Sequence, residues 1–279
     1  MALLTQAQQE SFDSEGFVLL PGFYDTHQVI EPIRRAIHSI IGLVIQRHRL
    51  DIEQLPFTNE TFDSGYLALI ALNRAAGGEV YDAIKQIPAF IRLVADPRHE
   101  ILFRELRPNS LPGIAAGGYG IRIDNPREER FRAPWHQEYP AQLRSLDGLV
   151  LWSSLIQITP DLGPVIICAG SHKLGPLPVY TKDPENPDKV GAYGLILKDA
   201  AKLVARFKHA EPLPAPGDLL IMDFLTVHAS GINTGTRSRW SMQSRLFNFK
   251  DPTGKRIGWK GSFASGIDFS QLHPELCID

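Results

Sequence analysis

Apolar residues in the first hundred positions recur at the spacing of amphipathic helices. After Asp25, a residue able to cap a helix, apolar side chains repeat every three or four positions as far as Ile45. This pattern predicts a long helix that packs one face against a core. Shorter helices are predicted at residues 6–14, 58–72, 79–85 and 89–94, with a short strand at 16–21.

Beyond about residue 100 the pattern changes to short apolar runs separated by glycine and proline. The runs at 149–158, 164–168, 218–222 and 240–249 are typical of a β-sandwich or barrel. A polar segment at 180–187, followed by a predicted helix at 199–207, indicates an insertion across 180–210 that could form a lid. We expect one domain over residues 1–279, with a helix-rich part (about 1–100), a strand-rich core (about 100–250) and a C-terminal extension (251–279).

Composition and charge exclude several classes of protein. The chain has 279 residues, 43% of them hydrophobic and 22% charged, which is ordinary for a globular protein with a large core. A net charge of -2 gives no support for the basic face that nucleic-acid binding usually needs. The longest apolar run, 37–45, is too short to span a membrane, and the start lacks the pattern of a secretory signal. Two cysteines, Cys168 and Cys277, are too few for a disulfide framework and fit the reducing cytoplasm.

The segment Pro134-Trp135-His136-Gln137-Glu138 carries the strongest chemical signal. In an extended strand, His136 and Glu138 would point to the same side. His228 follows far downstream, after a strand-like segment at 217–222. Two imidazoles and one carboxylate form the facial triad of non-haem Fe(II) oxygenases. The His-x-Glu pair alone would be weak evidence, because many such pairs are surface residues of strands.

An arginine eleven positions beyond His228 adds a second element to this site. The guanidinium of Arg239 could bind the far carboxylate of a 2-oxo diacid through two parallel hydrogen bonds. Arg237 and Arg245 are competing candidates for the same role. For each of the three, a solvated strand arginine remains the alternative interpretation.

Four segments together resemble the phytanoyl-CoA dioxygenase family of Fe(II)- and 2-oxoglutarate-dependent oxygenases. They are GFVLLPG at 16–22, WHQE at 135–138, TPDLGP at 159–164 running into AGSHK at 169–173, and the stretch from 217 through HASGIN at 228–233 to Arg239. The resemblance implies a double-stranded β-helix, or jelly roll, flanked by N-terminal helices. It also implies an activity: hydroxylation of a small-molecule metabolite with Fe(II), O2 and 2-oxoglutarate, releasing succinate and CO2.

The resemblance assigns a role to seven residues. His136, Glu138 and His228 would be the iron ligands. Arg239 and Ser230 would bind the C5 carboxylate of 2-oxoglutarate, Trp152 would line the cosubstrate pocket, and Arg122 would match a basic residue that precedes the histidine pair.

The sequence departs from the family pattern in two respects. Glu138 stands where the family usually has aspartate, and Leu162-Gly163 and Ala169-Gly170 replace the Asn-Gly and Pro-Gly pairs of two turns. The changes at the turns affect the backbone more than the chemistry. Because a carboxylate is kept at 138, the halide-binding variant of this chemistry is disfavoured.

Other polar and aromatic residues near these motifs have structural interpretations. We expect His172 to brace a loop, Trp135 and Tyr139 to pack in the core, and Gln137 to face away from the ligands. Gln142 and Arg144 are candidate residues of the pocket mouth. The remaining histidines are predicted to be surface or helix residues: His27, His38, His48, His99, His209 and His273.

Two other functions remain compatible with the sequence. One is a jelly-roll protein that binds a sugar or small metabolite without catalysis. The other is a cupin-type isomerase or hydrolase that uses Zn or Mn at the same ligands. The identity of the substrate and the oligomeric state are left open by the sequence.

Overall fold

The computed structural model describes residues 2–185, 194–261 and 266–278. The N-terminal part is helical except for one strand. Helix α1, Gln6–Glu15, begins with a capping box at Thr5 and ends at Gly16, whose left-handed backbone (φ 79°) turns the chain into strand β1, Phe17–Leu20. The cap predicted at Asp25 is present: its carboxylate accepts hydrogen bonds from two backbone N–H groups at the start of a π-helical turn, Thr26–Ile30.

The helix predicted after this cap is helix α2, Glu31–Arg47, which buries its repeated isoleucines. Of the next four helices, one matches its predicted bounds to within one residue and two differ from theirs. The helix predicted over 58–72 begins only at residue 66, and the one predicted at 79–85 is the second half of a longer helix. The last of the four was not predicted. These helices are α3, Tyr66–Leu72; α4, Arg74–Ile84; α5, Pro88–Val94; and α6, Pro97–Leu106.

Beyond residue 106 most of the regular elements are strands, as the short apolar runs predict. The strands are β2, Pro112–Ile114; β3, Gly120–Asp124; β4, Leu149–Ser154; β5, Val165–Cys168; β6, Val179–Tyr180; β7, Ile196–Leu197; β8, His209–Ala210; β9, Leu219–Asp223; β10, His228–Ser230; β11, Arg239–Asn248; and β12, Cys277–Ile278. Short helices connect them: α7, Tyr139–Gln142; α8, Ala200–Val204; α9, Pro252–Arg256; and α10, Phe269–Leu272.

The main sheet has the order β1-β9-β4-β11-β2, and β3 also pairs with β11. All of its strand pairs are antiparallel, and the sheet is open rather than closed. A second antiparallel sheet has the order β10-β5-β8. A third, small sheet has the order β12-β6-β7, in which β12 runs parallel to β6.

Successive side chains of strand β11 point to opposite faces of the main sheet. The indole of Trp240 packs against the rings of Phe62 and Tyr66, at centroid distances of 5.7 and 5.0 Å, so this face meets the helical layer. Its neighbour Arg239 points to the opposite face, because side chains alternate along a strand. That opposite face and the second sheet enclose a cavity.

The predicted insertion is only partly visible in the described chain. The helix predicted at 199–207 is the shorter helix α8. Residues 186–193, which include the end of the polar segment 180–187 and part of the predicted lid, lie outside the described residues. Among the residues that the structure describes, no helix combines the length and apolarity needed to cross a bilayer.

Candidate metal centre

A two-way backbone hydrogen bond brings the two distant histidines together. The N–H of His136 donates to the carbonyl of His228 at 3.0 Å, and the N–H of His228 donates back at 3.0 Å. The imidazole rings then lie side by side, with centroids 4.3 Å apart. The strand pairing of β10 with β5 holds His228, and this bridge holds His136.

The prediction that one extended strand carries both His136 and Glu138 is wrong. Only His136 lies in a β-bridge; the backbone at Glu138 is helical (φ -72°, ψ -33°) and caps α7. Pro140 in the first turn of α7 and a hydrogen bond from the Glu138 N–H to the carbonyl of Phe224 fix this turn. The carboxylate nevertheless reaches the histidines: its Oε2 lies 4.0 Å from Nε2 of His136.

His136, Glu138 and His228 form a group whose candidate ligand atoms all lie within 4.8 Å of one another. In both histidines Nδ1 lies close to the carbonyl two residues earlier, at 2.7 Å from Pro134 O and 2.9 Å from Thr226 O. A carbonyl only accepts, so each Nδ1 carries the proton and each Nε2 keeps the lone pair that a metal needs. The same contacts hold the rings in orientation.

Burial and neighbouring charges set the protonation states of the three groups. Burial lowers the pKa of His136 to about 3, with a further contribution from His228. Burial also lowers the pKa of His228. For Glu138, burial acts to raise the pKa, but Arg245 and the two histidines outweigh it and bring the pKa to about 2. At neutral pH the centre therefore holds two neutral imidazoles and one carboxylate, the state that metal binding requires.

The carboxylate of Glu138 is held by two side chains. Its Oε1 accepts hydrogen bonds from Nε of Arg245 at 3.0 Å and from Nε2 of Gln142 at 3.3 Å. Gln142 and Arg144, predicted at the pocket mouth, are both buried. Arg144 donates to the carbonyls of Ala116 and Trp259, so that prediction is wrong for both residues.

The guanidinium of Arg239 is buried to 1% exposure but only partly hydrogen-bonded. Its Nη2 donates to Oδ2 of Asp124 at 2.7 Å and to Oγ of Ser230 at 3.1 Å. Its Nε and Nη1 find no hydrogen-bond acceptor among the described residues. Buried donors are nearly always satisfied in proteins, so this pair of nitrogens fits a ligand that supplies acceptor oxygens.

Asp124 is a part of the site that sequence reasoning missed. Arg122 donates to both of its oxygens, and Arg239 donates to Oδ2. Burial would raise the pKa of Asp124, but these two arginines lower it. The antiparallel register of β3 on β11 places Asp124 directly opposite Arg239. No motif in the sequence indicates this pairing, because it depends on a strand that was not predicted.

One cavity collects all seven residues that the sequence singled out. Its empty space is about 380 Å³, including the part open to solvent. Apolar side chains from β4, β5 and β9 form its wall: Trp152, Val150, Val165 and Met222. Arg245 lines it as well, whereas Arg237 does not and instead pairs with Asp63.

The predicted structural roles of two further residues agree with their contacts. Gln137 donates to the carbonyls of Gly175 and Leu225 and accepts from the N–H of Leu177. It ties three loops together and does not line the cavity. His172 hydrogen-bonds through Nε2 to the carbonyl of Asp13 and contacts none of the metal-site residues in the described structure.

A family model for phytanoyl-CoA dioxygenase matches residues 12–241, which is most of the chain. The chain belongs to the phytanoyl-CoA dioxygenase family. A search of curated proteins found no match. Solved structures provide a further comparison, at identities low enough that they bear on the fold alone.

Three similar structures come from different proteins. The epimerase SnoN of nogalamycin biosynthesis, in complex with Fe3+, alpha ketoglutarate and nogalamycin RO, aligns with a TM-score of 0.56 at 15% identity, over 94% of this chain and 91% of that chain. EctD from S. alaskensis, with 2-oxoglutarate and 5-hydroxyectoine, has a TM-score of 0.56 at 17% identity over 88% and 77%. EvdO2 from Micromonospora carbonacea var. aurantiaca, complexed with 2-oxoglutarate, has a TM-score of 0.52 at 17% identity over 88% and 92%. These alignments confirm the predicted fold, the family's cupin-like core flanked by helices.

Proposed function

We propose that this protein is an Fe(II)- and 2-oxoglutarate-dependent dioxygenase that hydroxylates a small-molecule metabolite and releases succinate and CO2. The observation that carries the proposal is one cavity that joins a buried His136-Glu138-His228 group to an arginine with two unsatisfied donors. Family membership supports it, as does the fold shared with SnoN, EctD and EvdO2, whose structures hold iron or the 2-oxo acid.

The residues present fit an iron ion. His136 and His228 would bind it through Nε2. Glu138 would bind it through Oε2, because Oε1 accepts two shorter hydrogen bonds, from Arg245 at 3.0 Å and Gln142 at 3.3 Å, whereas Oε2 accepts one at 3.4 Å from Arg245. When bound, iron supplies the redox chemistry that couples O2 and 2-oxoglutarate decarboxylation to oxidation of a substrate carbon. The role of the protein is to position the three ligand side chains, with both histidines neutral and the glutamate ionised.

The residues at the other end of the cavity fit the second carboxylate of 2-oxoglutarate. Nη1 of Arg239, which has no acceptor among the described residues, would donate to it, and the hydroxyl of Ser230 would donate a second hydrogen bond. Asp124 holds Nη2 of Arg239 in place, and Arg122 holds Asp124. Arg122 is therefore a positioning residue in this proposal, and it acts through Asp124.

Apolar side chains exclude water from the space between these two ends. Trp152 and Val150 come from β4, Met222 from β9 and Val165 from β5, and all of them line the cavity. A dry wall strengthens the electrostatic interactions inside the cavity and limits reaction with bulk water.

Glu138 provides the direct test of the proposal. In anaerobic protein reconstituted with Fe(II), 2-oxoglutarate should produce a metal-to-ligand charge-transfer band, and O2 should then yield succinate. Glu138→Ala should abolish both signals, because it removes the only anionic ligand of the group. Glu138→Asp keeps the carboxylate but shortens it by one methylene, so it should retain part of the activity.

The same experiment separates this proposal from the two other functions. A non-catalytic binding protein would give no charge-transfer band. A cupin-type isomerase or hydrolase would turn over substrate with Zn or Mn and without O2. SnoN is named an epimerase, so product analysis by mass spectrometry must distinguish hydroxylation, which adds one oxygen atom, from other oxidations.

A further inference from the structure

A second arginine lies in the cavity at the end opposite Arg239. Arg245 follows six residues later on β11 and faces the same side, so the two backbone positions are about 20 Å apart. Arg239 contacts Ser230, two residues from the ligand His228, whereas Arg245 contacts the ligand Glu138. The candidate metal centre therefore lies between the two guanidinium groups.

The charges at the Arg239 end balance when 2-oxoglutarate is bound. Two arginines, Arg122 and Arg239, share one aspartate, Asp124, and the far carboxylate of 2-oxoglutarate supplies the second negative charge. At the metal, the two positive charges of Fe(II) are balanced by Glu138 and by the near carboxylate of 2-oxoglutarate. The Arg239 end of the cavity and the metal centre then each have a net charge of zero.

The positive charge of Arg245 is not balanced by any of these groups. In the structure its partner is Glu138, with Nε 3.0 Å from Oε1. Once a divalent cation shares the charge of Glu138, the guanidinium is a positive charge in a mostly buried position, 15% exposed, without a full counter-charge. Such a charge is costly in a protein interior unless an anion pairs with it.

The contacts of Arg245 leave room for such an anion. Its Nη1 donates to the carbonyl of Gly118 at a long 3.3 Å, and its Nη2 donates to Oε1 of Gln243 at 2.6 Å and, at 3.4 Å, to Oε2 of Glu138. Gly118 itself is buried, in the loop between β2 and β3, but its neighbours Ala116 and Gly117 are exposed. The guanidinium thus lies beside an open loop, on the side of the metal centre away from Arg239.

We propose that Arg245 binds a carboxylate of the substrate, so that the protein oxidises a small carboxylic acid. The planar guanidinium matches a carboxylate through two parallel hydrogen bonds. The weak contact to Gly118 and the contact to Gln243 are the ones that the substrate replaces, while Nε keeps Glu138 in orientation. This inference rests on the proposed function, because it takes iron and 2-oxoglutarate to be bound.

The test compares carboxylic acids with their amides. The Fe(II) and 2-oxoglutarate complex, kept anaerobic, is titrated with a panel of small monocarboxylic acids and with the primary amide of each. Binding is measured from the shift of the charge-transfer band and by calorimetry on the Zn(II)-substituted protein. We expect acids to bind about tenfold or more tightly than their amides, the difference that one charge-assisted contact produces.

Three variants assign the preference to Arg245. Arg245→Gln keeps hydrogen-bond donors but removes the charge, and should raise the Kd of the acids about tenfold while leaving the Kd of the amides unchanged. Arg245→Lys keeps the charge and should retain part of the preference. Arg237→Gln is the matched control, because it removes an ion-paired arginine just before the same strand and outside the cavity.

Several results would overturn the inference. They are equal binding of acids and amides, no acid that shifts the band, and an Arg245→Gln variant that keeps the preference. Loss of iron or 2-oxoglutarate affinity in Arg245→Gln would overturn it too, because Arg245 would then act only by positioning Glu138. If the wild-type protein gave no charge-transfer band at all, the proposed function itself would be wrong.

Discussion

At the residue scale, Asp124 decides how Arg239 meets a ligand. The aspartate occupies Nη2 of Arg239 and leaves Nε and Nη1 for another partner. A lysine at this position could satisfy Asp124 or the ligand, but its single ammonium cannot reproduce the planar fork that serves both. The geometry of the guanidinium, beyond its charge, therefore matters at this end of the cavity.

Arg239→Lys should weaken 2-oxoglutarate binding about tenfold, since an ammonium cannot keep the contacts to Asp124 and Ser230 and also donate a charge-assisted hydrogen bond to the ligand in the same geometry. The Kd is measured by titrating the charge-transfer band of the anaerobic Fe(II) protein. Arg237→Lys makes the same chemical change just outside the cavity and should leave this Kd as it is in the wild type. An unchanged Kd in Arg239→Lys would remove the proposed role of this residue.

His99 is a second residue whose surroundings have a measurable effect. It is buried in α6, where Nδ1 donates to the carbonyl of Val94 and Nε2 accepts from the hydroxyl of Tyr24 at 2.7 Å. Burial lowers the pKa of His99 to about 4, from 6.5. The imidazole is thus a neutral structural group that connects α6 to the loop after β1.

This pKa predicts a loss of stability in acid. As pH falls below about 6.5, the unfolded chain takes up a proton on His99 while the folded chain stays neutral until about pH 4. The stability contributed by the neutral imidazole is therefore complete above pH 6.5 and is lost as pH falls toward 4, by up to about 3 kcal/mol. His99→Gln should show a shallower decline in urea-unfolding free energy between pH 7 and pH 4. A wild-type slope in His99→Gln would contradict the prediction.

At the element scale, Gly163 allows the turn before β5 to lie very close to the backbone just after β10. Gly163 has a positive φ of 67°, and a Cβ on it would lie 2.6 Å from the carbonyl oxygen of Gly231. The residue after Gly231 in the chain, Ile232, is equally close. Because the crowding atoms are backbone, they cannot move aside without shifting β10, which carries His228.

Gly163→Ala should therefore destabilise the fold by about 2 to 4 kcal/mol, from backbone strain and steric overlap together. Gly22→Ala is the matched control: its φ of 62° is similar, but a Cβ there meets nothing within 4 Å, so only about 1 kcal/mol of strain is expected. Midpoints of denaturant unfolding measure both. Equal losses in the two variants would show that the close approach at Gly163 does not matter.

The sequence predicted the elements with regular apolar spacing and missed those without it. Helix α2 and the strands β4, β9 and β11 lie within a few residues of their predicted bounds, because each presents a continuous buried face. Strand β3, Gly120–Asp124, was missed since arginine and aspartate interrupt its apolar pattern. Helix α6 was missed although an aspartate cap, Asp96, and a proline at the first helical position mark its start in the sequence.

The candidate site was predictable as far as its chemistry is local. The spacing of His136 and Glu138 and the resemblance around His228 identified residues that the structure brings together. The contacts of Arg239 with Asp124 and of Arg245 with Glu138 join residues more than 100 positions apart. They depend on the register of β11 against its neighbours and on the turn at α7, which no spacing in the sequence reveals.

At the scale of the whole molecule, the helical layer is fixed to the back of the main sheet by polar contacts. Asp63 accepts hydrogen bonds from Arg237 and from the indole of Trp240, and Arg34 donates to the carbonyl of Leu155. The sheet that lines the cavity is therefore supported from behind. Ligands that bind in the cavity should stabilise the whole fold and not only the site.

Binding of Fe(II) with 2-oxoglutarate should raise the midpoint of thermal unfolding. At a ligand concentration about one hundred times Kd, linkage gives about 2.7 kcal/mol, which corresponds to about 5 to 10 °C for a chain of this size. Differential scanning fluorimetry under anaerobic conditions measures the shift, and EDTA should reverse it. Glu138→Ala should show no shift, and an equal shift in that variant would place the ligand elsewhere.

Strand β11 makes the function unusually sensitive to the length of the chain. Arg239, Gln243 and Arg245 all face the cavity only because they are separated by even numbers of residues. Deleting or inserting one residue between Arg239 and Arg245 would turn one of the arginines into the helical layer beside Trp240, although every side chain would still be present. Substitutions at Gln243, by contrast, would remove one hydrogen-bond acceptor of Arg245 but leave both arginines on the cavity face of the strand. Evolution and protein engineering can therefore vary this strand by replacement but not by insertion or deletion.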